Sequence, residues 1–138
     1  MSTYKIEAVE GIGVKHAKTL RKHDIASTKT LLTRGATKKG RKEIASTTGI
    51  DDGLILKWCN MCDLMRVKGI ASEYSELLEV AGVDTVKELR KRKPDNLQKA
   101  MAEANAKRKK KLVRQVPGLK QVENWVAHAK ELDPVMKY

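Results

Sequence analysis

The chain contains no phenylalanine, three prolines, two cysteines and only five aromatic residues: Tyr4, Trp58, Tyr74, Trp125 and Tyr138. Each shortage excludes something. Modules that grip single strands by stacking bases present clustered, exposed aromatics, and five scattered rings do not build such a platform. No run of eighteen apolar residues occurs, which excludes a membrane-spanning helix. The start, Met1-Ser2-Thr3-Tyr4-Lys5-Ile6-Glu7, lacks the charged and then apolar order of a secretory signal. Two cysteines do not complete a four-ligand zinc site, and Cys59-Asn60-Met61-Cys62 is followed by neither a second pair nor a His-x-x-x-His. The pair lies where Leu54, Ile55, Trp58, Met61, Cys62 and Met65 recur at threes and fours, the spacing of a helix. Cys62 is therefore expected as a small core residue, and no metal site is expected. Nothing implies an oxidising compartment, so the expected location is the cytoplasm, in association with the nucleoid if the source is bacterial.

What is abundant is positive charge. There are 29 Lys plus Arg against 17 Asp plus Glu, a net charge of +12. Such an excess implies a polyanionic partner, nucleic acid before an acidic membrane or protein. A hydrophobic content of 41% is too high for a disordered basic tail. The length fits one domain, or two small units sharing a core. Charge alone does not locate the contact, because residues 1–66 and 67–138 each carry +6.

An internal repeat organises the chain. Glu10-Gly11-Ile12-Gly13 lies 58 positions before Lys68-Gly69-Ile70-Ala71. At the same offset Leu20 matches Leu78 and Ile25 matches Val83, and residues 24–31 resemble 82–89. Trp58 and Trp125 fall in helices that parallel one another. The expected units are 1–66 and 67–138, sharing the helix near 51–66, with no flexible linker between them.

The fold class is all-α. Punctuation predicts nine short helices, at 3–9, 14–23, 28–34, 38–47, 51–66, 72–81, 85–92, 95–112 and 119–131. Ser27 or Thr28, Thr37 and Asp51 are expected N-caps, and Thr85-x-x-Glu88 has the form of a capping box. Stops fall at Gly35, Gly49, Gly69, Gly82 and Pro117-Gly118.

One segment carries a specific pattern. Residues 6–20 read apolar-x-x-apolar-x-Gly-apolar-Gly-x-x-x-Ala-x-x-Leu. Gly11 and Gly13 are expected to take the positive φ of a tight reversal. Ile12 plugs the turn into the core, and Ala17 lets the next helix approach closely. The amides of Gly13, Val14, Lys15 and His16 then open a helix without intrahelical acceptors. With the dipole of a helix N-terminus, such amides favour a phosphate. Lys15, Lys18 and Lys22 follow as point charges. His16 has no visible acid–base partner and needs no catalytic role.

This pattern resembles the helix-hairpin-helix motif, complete over fifteen residues. Three weaker copies follow. Residues 64–78 keep Gly69 but carry Ala71, Glu73 and Glu76, and are expected to be structural. Residues 44–52 end in Asp51 and Asp52, expected as caps. Residues 113–120 keep Gly118, with Arg114 and Lys120. The chain is thus similar to tandem double helix-hairpin-helix proteins, closest to a family of small ones with no established activity, which implies a SAM-like bundle packed into one compact body. Residues 20–32 also resemble the C-terminal domain of the bacterial RNA polymerase alpha subunit. The resemblance implies contact with duplex DNA without sequence reading, mostly from the minor-groove side. It implies phosphate contact by the amides of Gly11, Gly13, Lys15 and His16. It also implies a monovalent cation, potassium or sodium, at the carbonyls of Glu7, Val9 and Ile12.

Supporting charge is expected from Lys38, Lys39, Arg41 and Lys42 at a helix start. Residues 107–111 with Arg114 form a further basic run. On a helix, its successive charges turn by about 100° and do not all face one groove. Some of that run is therefore expected to be merely solvated. The function expected is sequence-nonspecific DNA binding by a monomer. The alternative is a protein-interaction scaffold with residues 72–76 as its acidic partner face. No activated nucleophile or paired carboxylates point to an enzyme, and no membrane partner is expected.

Overall fold

The computed structural model describes residues 3–138. Met1 and Ser2, which open the segment read above for a leader, lie outside them. The chain is all-α and compact. A 3-10 turn at Ile6–Ala8 precedes eight α-helices: α1 Val14–Lys22, α2 Thr28–Gly35, α3 Lys38–Thr48, α4 Asp52–Leu64, α5 Ser72–Val80, α6 Val86–Leu89, α7 Pro94–Ala106 and α8 Leu119–Glu131. Among the described residues the β-structure consists of one isolated antiparallel bridge, Lys5 with Ser27.

Most helix starts follow the local chemistry. Ser27, Thr37, Asp51 and Thr85 accept hydrogen bonds from the amides of Thr30, Gly40, Leu54 and Glu88. Glu88 reaches back to accept from the Asp84 amide at 3.2 Å, completing the reciprocal cap one residue earlier than the usual box. Gly49 closes α3 in the left-handed region, at φ 75°.

Three expected helices are markedly shorter, and the one expected at 85–92 spans only Val86–Leu89. The first does not span 3–9. Lys5 is extended, at φ −63° and ψ 149°, and segment 4–6 bonds to 26–28, with Ile6 N donating to Ala26 O at 3.0 Å and Thr28 N to Tyr4 O at 2.9 Å. Pairing with the α1–α2 loop leaves one 3-10 turn. The helix expected to run to 112 stops at Ala106. Buried Asn105 turns its side chain onto the backbone beyond, accepting from the amides of Leu112 and Val113 and donating to Val113 O. A short amide side chain that bonds to nearby backbone competes with helix continuation.

The apolar side chains gather into two clusters. One collects Ile6, Leu20, Ile25, Leu31, Ile44, Ile55, Trp58 and Met65. The other collects Leu64, Ile70, Leu78, Leu89, Met101, Val122 and Trp125. The change falls at the end of α4, where Leu64 joins one and Met65 the other. The last residues return to the first cluster: Met136 is buried in it, and Lys137 N donates to Ala36 O at 2.7 Å. Segment 133–138 therefore packs on the first half of the chain, although it follows α8.

Two buried polar residues hold the halves together. Asp63 accepts from the Val86 amide of α6 at 2.8 Å and from Arg66 Nη1 at 3.0 Å. Arg66 also donates through Nη1 and Nη2 to the Asp133 carbonyl. Burial raises the Asp63 carboxyl, opposed by the Val86 amide and Arg66.

Candidate nucleic-acid interface

The turn between Ile6–Ala8 and α1 is built from its glycines, but they do different work. Gly11 sits at φ 92°, where a side chain is strained. A Cβ there would lie 3.4 Å from Trp58 Nε1. Gly13 does not take the expected positive φ. It is extended, at φ −80° and ψ −178°, a conformation open to any residue. A Cβ on Gly13 would meet nothing within 4 Å. Its missing side chain therefore leaves open space above the backbone rather than permitting a turn.

Gly13 is the N-cap of α1, no side chain caps it, and no acid stands in the first turn. Among the described residues, the amides of Gly11, Gly13, Val14, Lys15 and His16 find no acceptor. Ile12 is buried, as expected, and its amide bonds to the Val9 carbonyl at 3.1 Å. The Val9 carbonyl is thus already engaged, while those of Glu7 and Ile12 accept nothing among the described residues.

The side chains around this helix start divide sharply. Lys15 and Lys18 are exposed, and Val14 is 88% exposed beside the free amides. Val14, Lys18 and Lys22 recur at fours on one stripe, bordering a shallow depression with Glu7, Ala17 and Arg21. Lys22 closes α1, about 12 Å along the axis from its start. It extends the stripe but does not touch the turn. His16 is half-buried, its ring edge-on to Trp58 at 5.1 Å between centroids. Its side chain packs, and only its amide is presented. Glu7 is neutralised by a two-point pair with Arg21, whose Nε donates to Oε2 at 3.1 Å. The Arg21 hydrogen bonds hold the Glu7 carboxyl below its ordinary value.

Arg41 must be removed from the expected contact set. It is 4% exposed, and its guanidinium donates to Gly35 O and Lys137 O at 2.9 and 3.0 Å, over the Tyr138 ring. Its donors tie the end of α2 to the C-terminal segment. Its neighbours Lys38, Lys39 and Lys42 are exposed around a shallow depression at the start of α3. α3 packs chiefly on α2 and α4, whereas α1 leans on the 3-10 turn. These lysines form a second patch rather than part of the turn.

The repeats separate on the same criteria. α4 is capped by its own Asp51. α5 starts with Glu73 in its first turn, and the Lys68 amide before it donates to His128 Nδ1 at 3.0 Å. α8 matches α1: Gly118 is an extended N-cap with open space above it, no side-chain cap, no acid in the first turn, and Leu119 and Lys120 exposed. Gly118 and Lys120 thus repeat the arrangement of Gly13 and Lys15.

The sequence reading missed the support beneath the turns. Trp58 lies under Gly11, and Trp125 lies under Gly69, where a Cβ would be 3.0 Å from the indole nitrogen. His16 on Trp58 is matched by Tyr74 on Trp125, 58 positions later. The parallel helices were legible, but their registration beneath the turns was not.

Both cysteines are buried and free, and burial pushes the Cys59 thiol up to about 12 and Cys62 well above its ordinary value. Among the described residues, no group of three or more His, Cys, Asp or Glu side chains is placed to hold a metal ion. No helix of the described residues is long and apolar enough to cross a membrane.

The model of the family described as Domain of unknown function (DUF4332) matches residues 10–132. The chain belongs to this family. The match begins at Glu10, inside the α1 turn, and ends at Leu132, just past α8, so it takes in the starts of both α1 and α8. No curated protein and no solved structure matches the chain.

Proposed function

We propose that this DUF4332 chain binds duplex DNA without sequence preference, holding phosphates at the start of α1. The observation that carries the reading is the uncapped N-terminus of α1. Free amides, open space above Gly13 and no acid in the first turn coincide there with exposed Lys15 and Lys18. Together these offer hydrogen-bond donors, a favourable dipole and positive charge to one anion. The reading treats the turn as a helix-hairpin-helix. A monovalent cation at the carbonyls of Glu7, Val9 and Ile12 would add a positive charge between turn and phosphate. Lys18 and Lys22 continue along the stripe, and Lys38, Lys39 and Lys42 add a separate basic patch. Amide and lysine contacts to phosphate position a duplex but read no bases.

Fluorescence-anisotropy titration of a labelled duplex at a series of salt concentrations tests the reading. Log affinity should fall linearly with log salt, and Lys15→Glu should weaken binding to unrelated sequences equally, reducing the slope by about one. Absence of duplex binding at low salt overturns the proposal. A stoichiometric protein partner captured free of nucleic acid would favour the scaffold instead.

A further inference from the structure

We infer that the second half of the chain carries its own surface for the same polyanion, the basic loop 107–114, and that contact there is made by side chains rather than by a helix start. The inference rests on the duplex-binding reading above.

The structure removes the geometric objection to this run. A helix would turn its successive charges by about 100° each, but α7 ends at Ala106 before they begin. Lys107, Arg108, Lys109, Lys110, Lys111 and Arg114 are all exposed. The loop is held at both ends. Asn105, 6% exposed, makes three hydrogen bonds of 2.9–3.3 Å to the backbone of Leu112 and Val113, and Val113 is buried in the second core. Lys111 Nζ donates to Ala106 O at 2.8 Å and Arg108 O at 3.2 Å, placing its ammonium on carbonyls at the end of α7. Lys111 thus braces the loop, while Lys107, Arg108, Lys109, Lys110 and Arg114 remain outward. The ion pairs among the described residues are Glu7–Arg21 and Asp63–Arg66, so none of these five cations is neutralised by a carboxylate. The brace fixes the loop backbone, so on binding the ordering lost is mainly that of the exposed side chains.

The kind of partner follows from what surrounds the charges. Leu112 is half-buried and Val113 buried, and the exposed large apolar residues Val14, Leu54, Val80, Leu119 and Tyr138 all lie elsewhere. The loop therefore lacks the apolar wedge that seats a basic segment in a bilayer. The loop itself carries no aromatic anchor of the kind protein interfaces depend on; the half-buried Tyr74, which borders the same cleft, is packed on Trp125 at 5.3 Å between centroids. Glu73, at the start of α5, borders the same cleft as Lys111 and Arg114. It makes the α5 amides a poor phosphate site and leaves the work to the loop's own cations. Closely spaced, exposed cations fit a row of phosphates.

The test uses the full chain and a labelled DNA duplex across a salt series. Replacing Lys107, Arg108, Lys109 and Lys110 together with Gln should lower the salt slope by about 0.9 for each lost contact, about 2 or more in total, and weaken binding at least about tenfold at moderate salt. Replacing the three lysines with Arg should preserve slope and affinity. If the Gln variant melts like wild type and keeps both slope and affinity while Lys15→Glu weakens binding, the loop inference is overturned and the α1 reading stands. If wild type binds no duplex at low salt, both fall. If the loop instead governs binding to phosphatidylserine vesicles and leaves duplex binding unchanged, the partner is a membrane and the inference is overturned.

Discussion

Gly11 and Gly13 stand two residues apart in one turn, yet their substitution should read out differently. At Gly11 the positive φ opposes a side chain, while a Cβ would meet the Trp58 indole only at ordinary contact, 3.4 Å. Gly11→Ala should therefore destabilise the fold by about 1–2 kcal/mol, measured by urea unfolding. At Gly13 the backbone is extended and the space open. Because Gly13 is the N-cap of α1, Gly13→Val should lower stability by about 1 kcal/mol without unfolding the chain, and its methyl groups should block a phosphate from the amides. A folded Gly13→Val protein with wild-type duplex affinity would remove the turn from the proposed interface. Both glycines stand out in the sequence. Their different dihedral angles do not, because they follow from how the turn seats on Trp58.

At the scale of the element, α3 carries its charges at the wrong end. Lys38 and Lys39 open the helix, where the dipole disfavours cations. Replacing both with Glu should raise stability by about 0.3–1 kcal/mol per site in low salt, seen as a higher melting temperature. The same change should weaken duplex binding if this patch meets phosphate. Opposite signs in the two measurements would separate a binding role from a structural one; equal affinity would confine these lysines to solvation. The lysines, the Thr37 cap and the Gly49 stop were all legible in the sequence, since each acts within one helical turn. The burial of Arg41 three residues on was not. It depends on Lys137, 96 positions away, offering a carbonyl.

For the whole molecule, the junction at Asp63 sets a pH dependence. Its carboxyl is raised above its ordinary value of 3.8, chiefly by burial. The folded chain then holds that proton more tightly than the unfolded one. The stability from this group is present below the unfolded value and is lost as pH rises through the folded value. Asp63→Asn removes the titration. The stability of wild type relative to this variant should therefore grow as pH falls from 7 toward 4, measured by urea unfolding at each pH. A difference independent of pH would show that Asp63 does not titrate in this range. Glu7 acts in the opposite sense: lowered by Arg21, it contributes stability above its ordinary value of 4.5 that is lost as pH falls through its folded value. The Asn variant leaves that contribution in place.

The sequence by itself determined the helical class, most helix starts, the duplication, and the Gly-rich turn with its flanking lysines. These rest on interactions within a few residues: the 3.6-residue period, side-chain caps and glycine stops. Only the tertiary structure decided the rest. It ended α7 at Ala106, beside Asn105, whose side chain bonds to the backbone of buried Val113. It seated the two tryptophans beneath Gly11 and Gly69, returned Met136 to the first core, and took Arg41 from the surface into the protein. Each of these depends on partners far apart in sequence, brought together when the apolar faces of the helices close over one another, and no local pattern encodes which partners those are.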